Sequence, residues 1–148
     1  MGYTTDFKGN FEFSEKPSDK TLELLSGLNK TRRMARSIEG YGIEGEFYYN
    51  KNTNDFGQEE DKNIINYNKP PKTQPGLWNN WKPSECGMFL EWDGGEKFYK
   101  YVEWIKYLIK NIIEPDNLKL NGTVQWRGEE CEDYGTITIK DNQVSITC

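Results

Sequence analysis

Between Phe98 and Pro115 the chain carries one pattern that leaves little freedom. Phe98, Tyr101, Val102, Ile105, Leu108, Ile109 and Ile112 recur every three or four residues, with charged or polar residues between them. That spacing puts all of them on one face of an α-helix and predicts a helix over about Glu96 to Ile113, ended by Pro115. A helix with one wide apolar face is unstable alone and needs an apolar surface to lie on. In a chain of 148 residues, most of the other patterned segments alternate as strands do.

In Tyr3 to Phe13, Tyr3, Thr5, Phe7, Phe11 and Phe13 share one parity, while Asp6, Lys8, Asn10 and Glu12 take the other. This is the signature of a half-buried strand. Gly9 falls on the apolar parity and marks a bulge or a close backbone approach. Further strands are predicted over Glu46 to Asn50, Gly76 to Lys82, Gly87 to Trp92, Lys119 to Arg127, Tyr134 to Lys140 and Gln143 to Thr147. Asp141-Asn142 forms the tight turn of the last hairpin. A shorter helix opens at Pro17-Ser18, with Ser18 or Asp19 as N-cap, and ends near Arg32 to Arg36; Gly27 weakens it by about 1 kcal/mol relative to alanine. The expected fold is α+β: one domain over residues 1–148, with a mostly antiparallel sheet of about six strands and two helices on one face.

Charge and residue usage exclude several functions. The net charge of −5 argues against a duplex nucleic-acid binder, which needs a basic face. Histidine is absent, which removes the usual general base near neutral pH and the commonest transition-metal ligand. Cys86, Cys131 and Cys148 show no metal or redox spacing and suit a reducing compartment. No apolar run is long enough for a membrane span and no charged-then-apolar leader pattern is seen, so a cytoplasmic location is expected. No cofactor and no resident metal are expected. The acidic runs Glu59-Glu60-Asp61 and Glu129 to Asp133 can hold Mg²⁺ in principle, but solvated turns are the plainer reading.

The positive evidence lies in rings and cations. Aromatic residues make up 14% of the chain, and four of the five tryptophans lie between Pro70 and Trp104. Lys30, Arg32, Arg33 and Arg36 set four cations within seven residues. Guanidinium groups suit phosphate oxygens, and exposed rings stack on bases. The plain alternatives are a helix C-terminus that attracts cations and an aromatic-rich core. Trp92, Phe98, Tyr101 and Phe13 fit the core. Trp78, Trp81, Trp104 and Tyr107 lie off the helical stripe or in a segment rich in proline, glycine and asparagine, as does Tyr67. Trp104 and Tyr107 also suit a contact between subunits. Asp93-Gly94-Gly95 at the start of the second helix reads as an N-cap or as an anion-binding turn.

The segments Gly2-Tyr3-Thr4-Thr5-Asp6-Phe7, Thr31-Arg32-Arg33-Met34, Phe56-Gly57-Gln58, Tyr67-Asn68-Lys69-Pro70-Pro71, Gln74-Pro75-Gly76-Leu77-Trp78 and Glu91 to Tyr99 (EWDGGEKFY) resemble a family of small uncharacterised proteins from bacteria and bacteriophages. The resemblance spans most of the chain. A phage setting implies the host cytoplasm and, by analogy, a counter-defence role such as soaking up cyclic or ADP-ribose-type immune nucleotides.

The expected function is therefore non-catalytic binding of a small, flat, nucleotide-derived anion. Arg32, Arg33 and Arg36 would hold phosphate; Trp78, Trp81, Trp104, Tyr107 and Tyr67 would stack on the ligand; loop 51–75 would close over it. A homo-oligomer is expected. A metal-dependent hydrolase of the same ligands, or an inhibitor that docks on a host protein through exposed tryptophans, are the alternatives.

Overall fold

Strand β1 (Asp6–Phe13) lies at the centre of the molecule and pairs antiparallel on both sides, with Phe11 opposite Leu90 of one neighbour and Phe7 opposite Trp126 of the other. The coordinates are a computed structural model, and they describe residues 3–49, 56, 58 and 61–148. After β1 come α1 (Asp19–Lys30), β2 (Ala35–Arg36), β3 (Ile64–Asn66), β4 (Trp81–Pro83), β5 (Phe89–Trp92), α2 (Tyr101–Leu108), β6 (Leu120–Arg127), β7 (Tyr134–Lys140) and β8 (Gln143–Thr147). Six strands form one antiparallel sheet in the order β4-β5-β1-β6-β7-β8, and β2 and β3 make a small separate ribbon. The α+β class and the antiparallel sheet are as the patterns predict.

Alternation decides which face is covered. Phe7, Phe11 and Phe13 of β1, Leu90 of β5, Trp81 of β4, Val124 and Trp126 of β6, and Ile137 and Ile139 of β7 all enter one core. Leu25 and Leu28 of α1 and Trp104, Ile105, Tyr107 and Leu108 of α2 close it from the same side. The other parity, including Lys8, Asn10, Glu12, Gln125 and Arg127, is exposed. Gly9 is a close approach: its φ is +103°, and a Cβ there would stand 2.5 Å from the Thr123 carbonyl on β6.

Helix α1 begins as expected, with Ser18 Oγ accepting from the Thr21 amide at 3.3 Å. It stops at Lys30, because Thr31 turns extended. Arg32, Arg33 and Arg36 therefore lie beyond the helix. Helix α2 departs further from the pattern: it starts at Tyr101, not Glu96. Lys97 (φ 61°) and Lys100 (φ 57°) are left-handed, which no α-helix passes through. Burial wins over helix propensity here, since Phe98 packs 5.4 Å from Trp81 and 5.7 Å from Phe7, ring centre to ring centre. Asp93 is accordingly not the cap of this helix. At its other end α2 widens into one π-helical turn, Ile109–Ile113, which brings Ile109, Ile112 and Ile113 all inward.

Two predicted strands are shortened or missing. Gly76 to Lys82 is extended only from Trp81. Glu46 to Tyr49 forms no strand, and Asn50 lies outside the described residues. Glu46 instead serves as the centre of a buried polar knot.

Candidate functional site

Arg33 is 1% exposed. Its Nη2 donates to the Glu46 carbonyl at 3.0 Å and its Nε to Gln74 Oε1 at 3.3 Å. Tyr107 donates its hydroxyl proton to Glu46 Oε2 at 2.6 Å, and Thr73 adds a second bond to the same oxygen at 2.5 Å. Burial lowers the Arg33 guanidinium from its ordinary value to about 10, with neighbouring Tyr107 and Glu46 acting against that fall. Burial, and then the bond to Glu46, raise the Tyr107 hydroxyl. This knot joins segment 46–49, the Thr73-Gln74 turn and α2, and it leaves Arg33 no route to a ligand in solvent.

The structure corrects four more expected ligand contacts. Arg36 is 3% exposed, lies 4.2 Å over the Tyr48 ring and pairs with Asp61 at 3.8 Å. Trp81 and Trp104 are each 0% exposed, and Tyr107 is 7% exposed. Trp81 Nε1 donates to the Tyr101 carbonyl at 3.0 Å, so even its polar edge is used internally. Each of these rings repays burial with roughly 1.5–3 kcal/mol, more than a cap or surface ion pair contributes, and the core takes them.

Three of the expected residues do come together at the surface. Arg32 is half-buried, its guanidinium lies 5.8 Å from the half-buried Trp78 ring, and its Nε donates to the carbonyl of exposed Tyr67 at 3.1 Å. Trp78 lines a groove of about 890 Å³. One wall is the end of α1, with Asn29 and Lys30. A second is the Pro75-Gly76-Leu77-Trp78 segment, with Phe56 set edge-on to Trp78 at 5.6 Å. The third is the non-helical run before α2, with Asp93, Glu96, Lys97, Tyr99 and Lys100. Glu59, Glu60 and much of the expected closing loop (residues 51–55 and 57) lie outside the described residues.

Asp93 holds the three walls in place. Its Oδ1 accepts from the Gly95 amide at 2.7 Å and from Asn80 at 3.1 Å, and its Oδ2 accepts from Asn29 at 2.8 Å. The charged lining residues are Lys30, Lys97 and Lys100 with Asp93 and Glu96, so the groove keeps a small excess of positive charge. Four buried polar atoms, Thr31 Oγ1, Arg33 Nη1, Asn79 Nδ2 and Trp104 Nε1, stay without a hydrogen-bond partner among the described residues. The Trp104 nitrogen lies 3.7 Å from where a Cβ on Gly76 would stand.

Lys97, Lys100, Tyr99 and Phe56 line the candidate groove and were not among the residues expected to bind a ligand. The available signals were Gly94-Gly95, which argues against an immediate helix, and Tyr99, which lies off the apolar stripe. Among the described residues, no three His, Cys, Asp or Glu side chains gather as metal ligands. Asp133 of the second acidic run is instead bonded by the Tyr3 hydroxyl at 2.6 Å and by Trp126 Nε1 at 3.0 Å, which hold its carboxyl below the ordinary range. A second hollow, of about 620 Å³, lies beside Arg127, but that guanidinium already covers the Tyr134 ring at 5.6 Å. The three cysteines are exposed free thiols. No helix among the described residues is long and apolar enough to cross a membrane.

Comparison of the chain with protein-family models, with curated proteins and with solved structures finds no match.

Proposed function

We propose that the chain binds and sequesters a small, planar, anionic ligand derived from a nucleotide, in the groove walled by Trp78, Tyr99, Lys30, Lys97 and Lys100. The observation that carries this reading is the meeting of half-exposed rings with three lysines in one concavity of an otherwise acidic chain. Its volume lies within the range usual for small-ligand sites. Stacking on one indole contributes roughly 1–3 kcal/mol. Ammonium groups on two walls supply the attraction for phosphate. Lys97 and Lys100 hold a left-handed backbone that costs about 1–2 kcal/mol each and is imposed by the inward packing of Phe98, and both residues line the groove. A viral counter-defence sponge for cyclic or ADP-ribose-type signals is the biological role that fits such a site.

The test is direct. Mix the protein with cyclic dinucleotides and cyclic ADP-ribose isomers, remove free ligand, denature the protein and analyse what is released. Intact nucleotide, lost in Trp78→Ala, supports sequestration. A cleaved product points to a hydrolase instead. Retention of none of them at micromolar protein rejects the reading.

A further inference from the structure

The two edges of the sheet are built differently. At one edge, β4 is three residues long, contains Pro83 and packs beside α1. Shortness, proline and a covering helix are the devices by which proteins keep an edge from pairing. At the other edge, β8 runs Gln143-Val144-Ser145-Ile146-Thr147 with no charge, no proline and no bulge. Nothing else among the described residues pairs with it. Ile146 is 45% exposed although it sits on the core-facing parity opposite Ile137.

We propose that β8 pairs antiparallel with β8 of a second copy, joining two six-stranded sheets across a two-fold axis at Ser145. The register follows from the turn. Asp141 (φ 46°) and Asn142 (φ 70°) form the two-residue hairpin turn, so Lys140 and Gln143 close it as a hydrogen-bonded pair. The ladder then alternates, and the backbone groups of Val144 and Ile146 face the open edge. Centred on Ser145, self-pairing sets Val144 against Ile146 of the second copy, and the reverse, which satisfies the outward donors and acceptors of both residues. It also extends the apolar face formed by Ile137 and Ile139. A foreign strand can meet some of these conditions, but the symmetric register meets all of them with one sequence. No like charges oppose each other within it, although the whole chain carries −5. This surface is separate from the groove and does not depend on the ligand reading.

Sedimentation velocity over a concentration series reads the association. A reversible dimer is expected, weakened by about tenfold or more in Val144→Pro and in Ile146→Lys. Ile146→Lys should keep the wild-type melting temperature, since that side chain is half exposed, whereas Val144→Pro also trims a side chain packed against the core and should melt somewhat lower. In a background with Cys86, Cys131 and Cys148 changed to serine, Ser145→Cys should form a covalent dimer on oxidation. Residues facing each other in a non-hydrogen-bonded pair stand about 4.5 Å apart at Cα, within disulfide reach. Gln143→Cys alone should not cross-link. A chain that stays monomeric to its solubility limit overturns the proposal, as does a monomer that captures a foreign strand instead. So does a dimer indifferent to both edge variants, or cross-linking at residue 143 in place of 145.

Discussion

Arg32 and Arg33 are adjacent in the chain and belong to different parts of the molecule. Arg33 is sealed behind Gln74 and Glu46, while Arg32 lies half exposed against Trp78 at the rim of the groove. Past Thr31 the chain turns tightly, with the Met34 amide donating back to the Arg32 carbonyl at 2.9 Å across Arg33, and a cluster that looks continuous in sequence is divided by one residue step. The buried side has exchanged water for specific acceptors and has become architecture. The outer side keeps its charge available.

The comparison breaks first at the buried arginine. Arg33→Ala leaves Gln74 Oε1 without its donor and removes one of the two donors to the Glu46 carbonyl in the interior. We expect it to cost about 3–5 kcal/mol of stability, read by chemical denaturation. Near-normal stability would show that the knot is decoration. Next, Arg32→Ala and Trp78→Ala should leave the denaturation midpoint nearly unchanged and weaken nucleotide binding by about 1–3 kcal/mol, or roughly 5- to 150-fold, in calorimetry. A large loss of stability in either would erase the contrast.

A smaller effect of opposite sign sharpens it. Lys97→Gly and Lys100→Gly relieve left-handed strain and should each raise stability by about 1 kcal/mol while lowering ligand affinity. Loss of stability in both would mean that these side chains serve the fold. The weakest effect is confined to high pH. Burial, with Asp133 and Glu103 adding to it, pushes the Tyr101 hydroxyl up to about 12, and Tyr107 is raised as well. The unfolded chain ionises these groups near 10. Their stabilising contribution is thus whole below pH 10 and declines as pH climbs towards 12. Arg33, lowered to about 10, acts in the opposite sense over part of that range. Tyr101→Phe should flatten the alkaline decline in thermal melts; an unchanged decline would assign it elsewhere.

Much of the fold was legible because strand parity and helix period are imposed locally. Phe7, Phe11 and Phe13, the Ser18 cap, the 119–147 strands and the Asp141-Asn142 turn all stand where their patterns put them. Of the groove lining, Trp78, Lys30 and Asp93 were legible; Arg32 and Tyr67 stand beside Trp78 and outside that lining. Trp81 and Trp104 failed as surface residues because a ring off one helical or strand face can still meet the core from a neighbouring element. Glu46 looked like the first residue of a strand because no local pattern announces a carboxylate that will accept from Thr73 and Tyr107, far along the chain. Lys97 and Lys100 read as helix because their left-handed backbone is imposed by Phe98 reaching inward.

Gly27 looks like a flaw in α1, yet the Tyr49 side chain packs against it, where any Cβ would collide with the ring. Tyr49 is three residues from Glu46, and Gly27 is two and three residues from Asn29 and Lys30. Pushing the ring outward at this one bare spot would therefore tug on the arginine's enclosure from one end and tilt the lysine-bearing wall from the other. A single methyl group would transmit a disturbance between interior and rim without touching either.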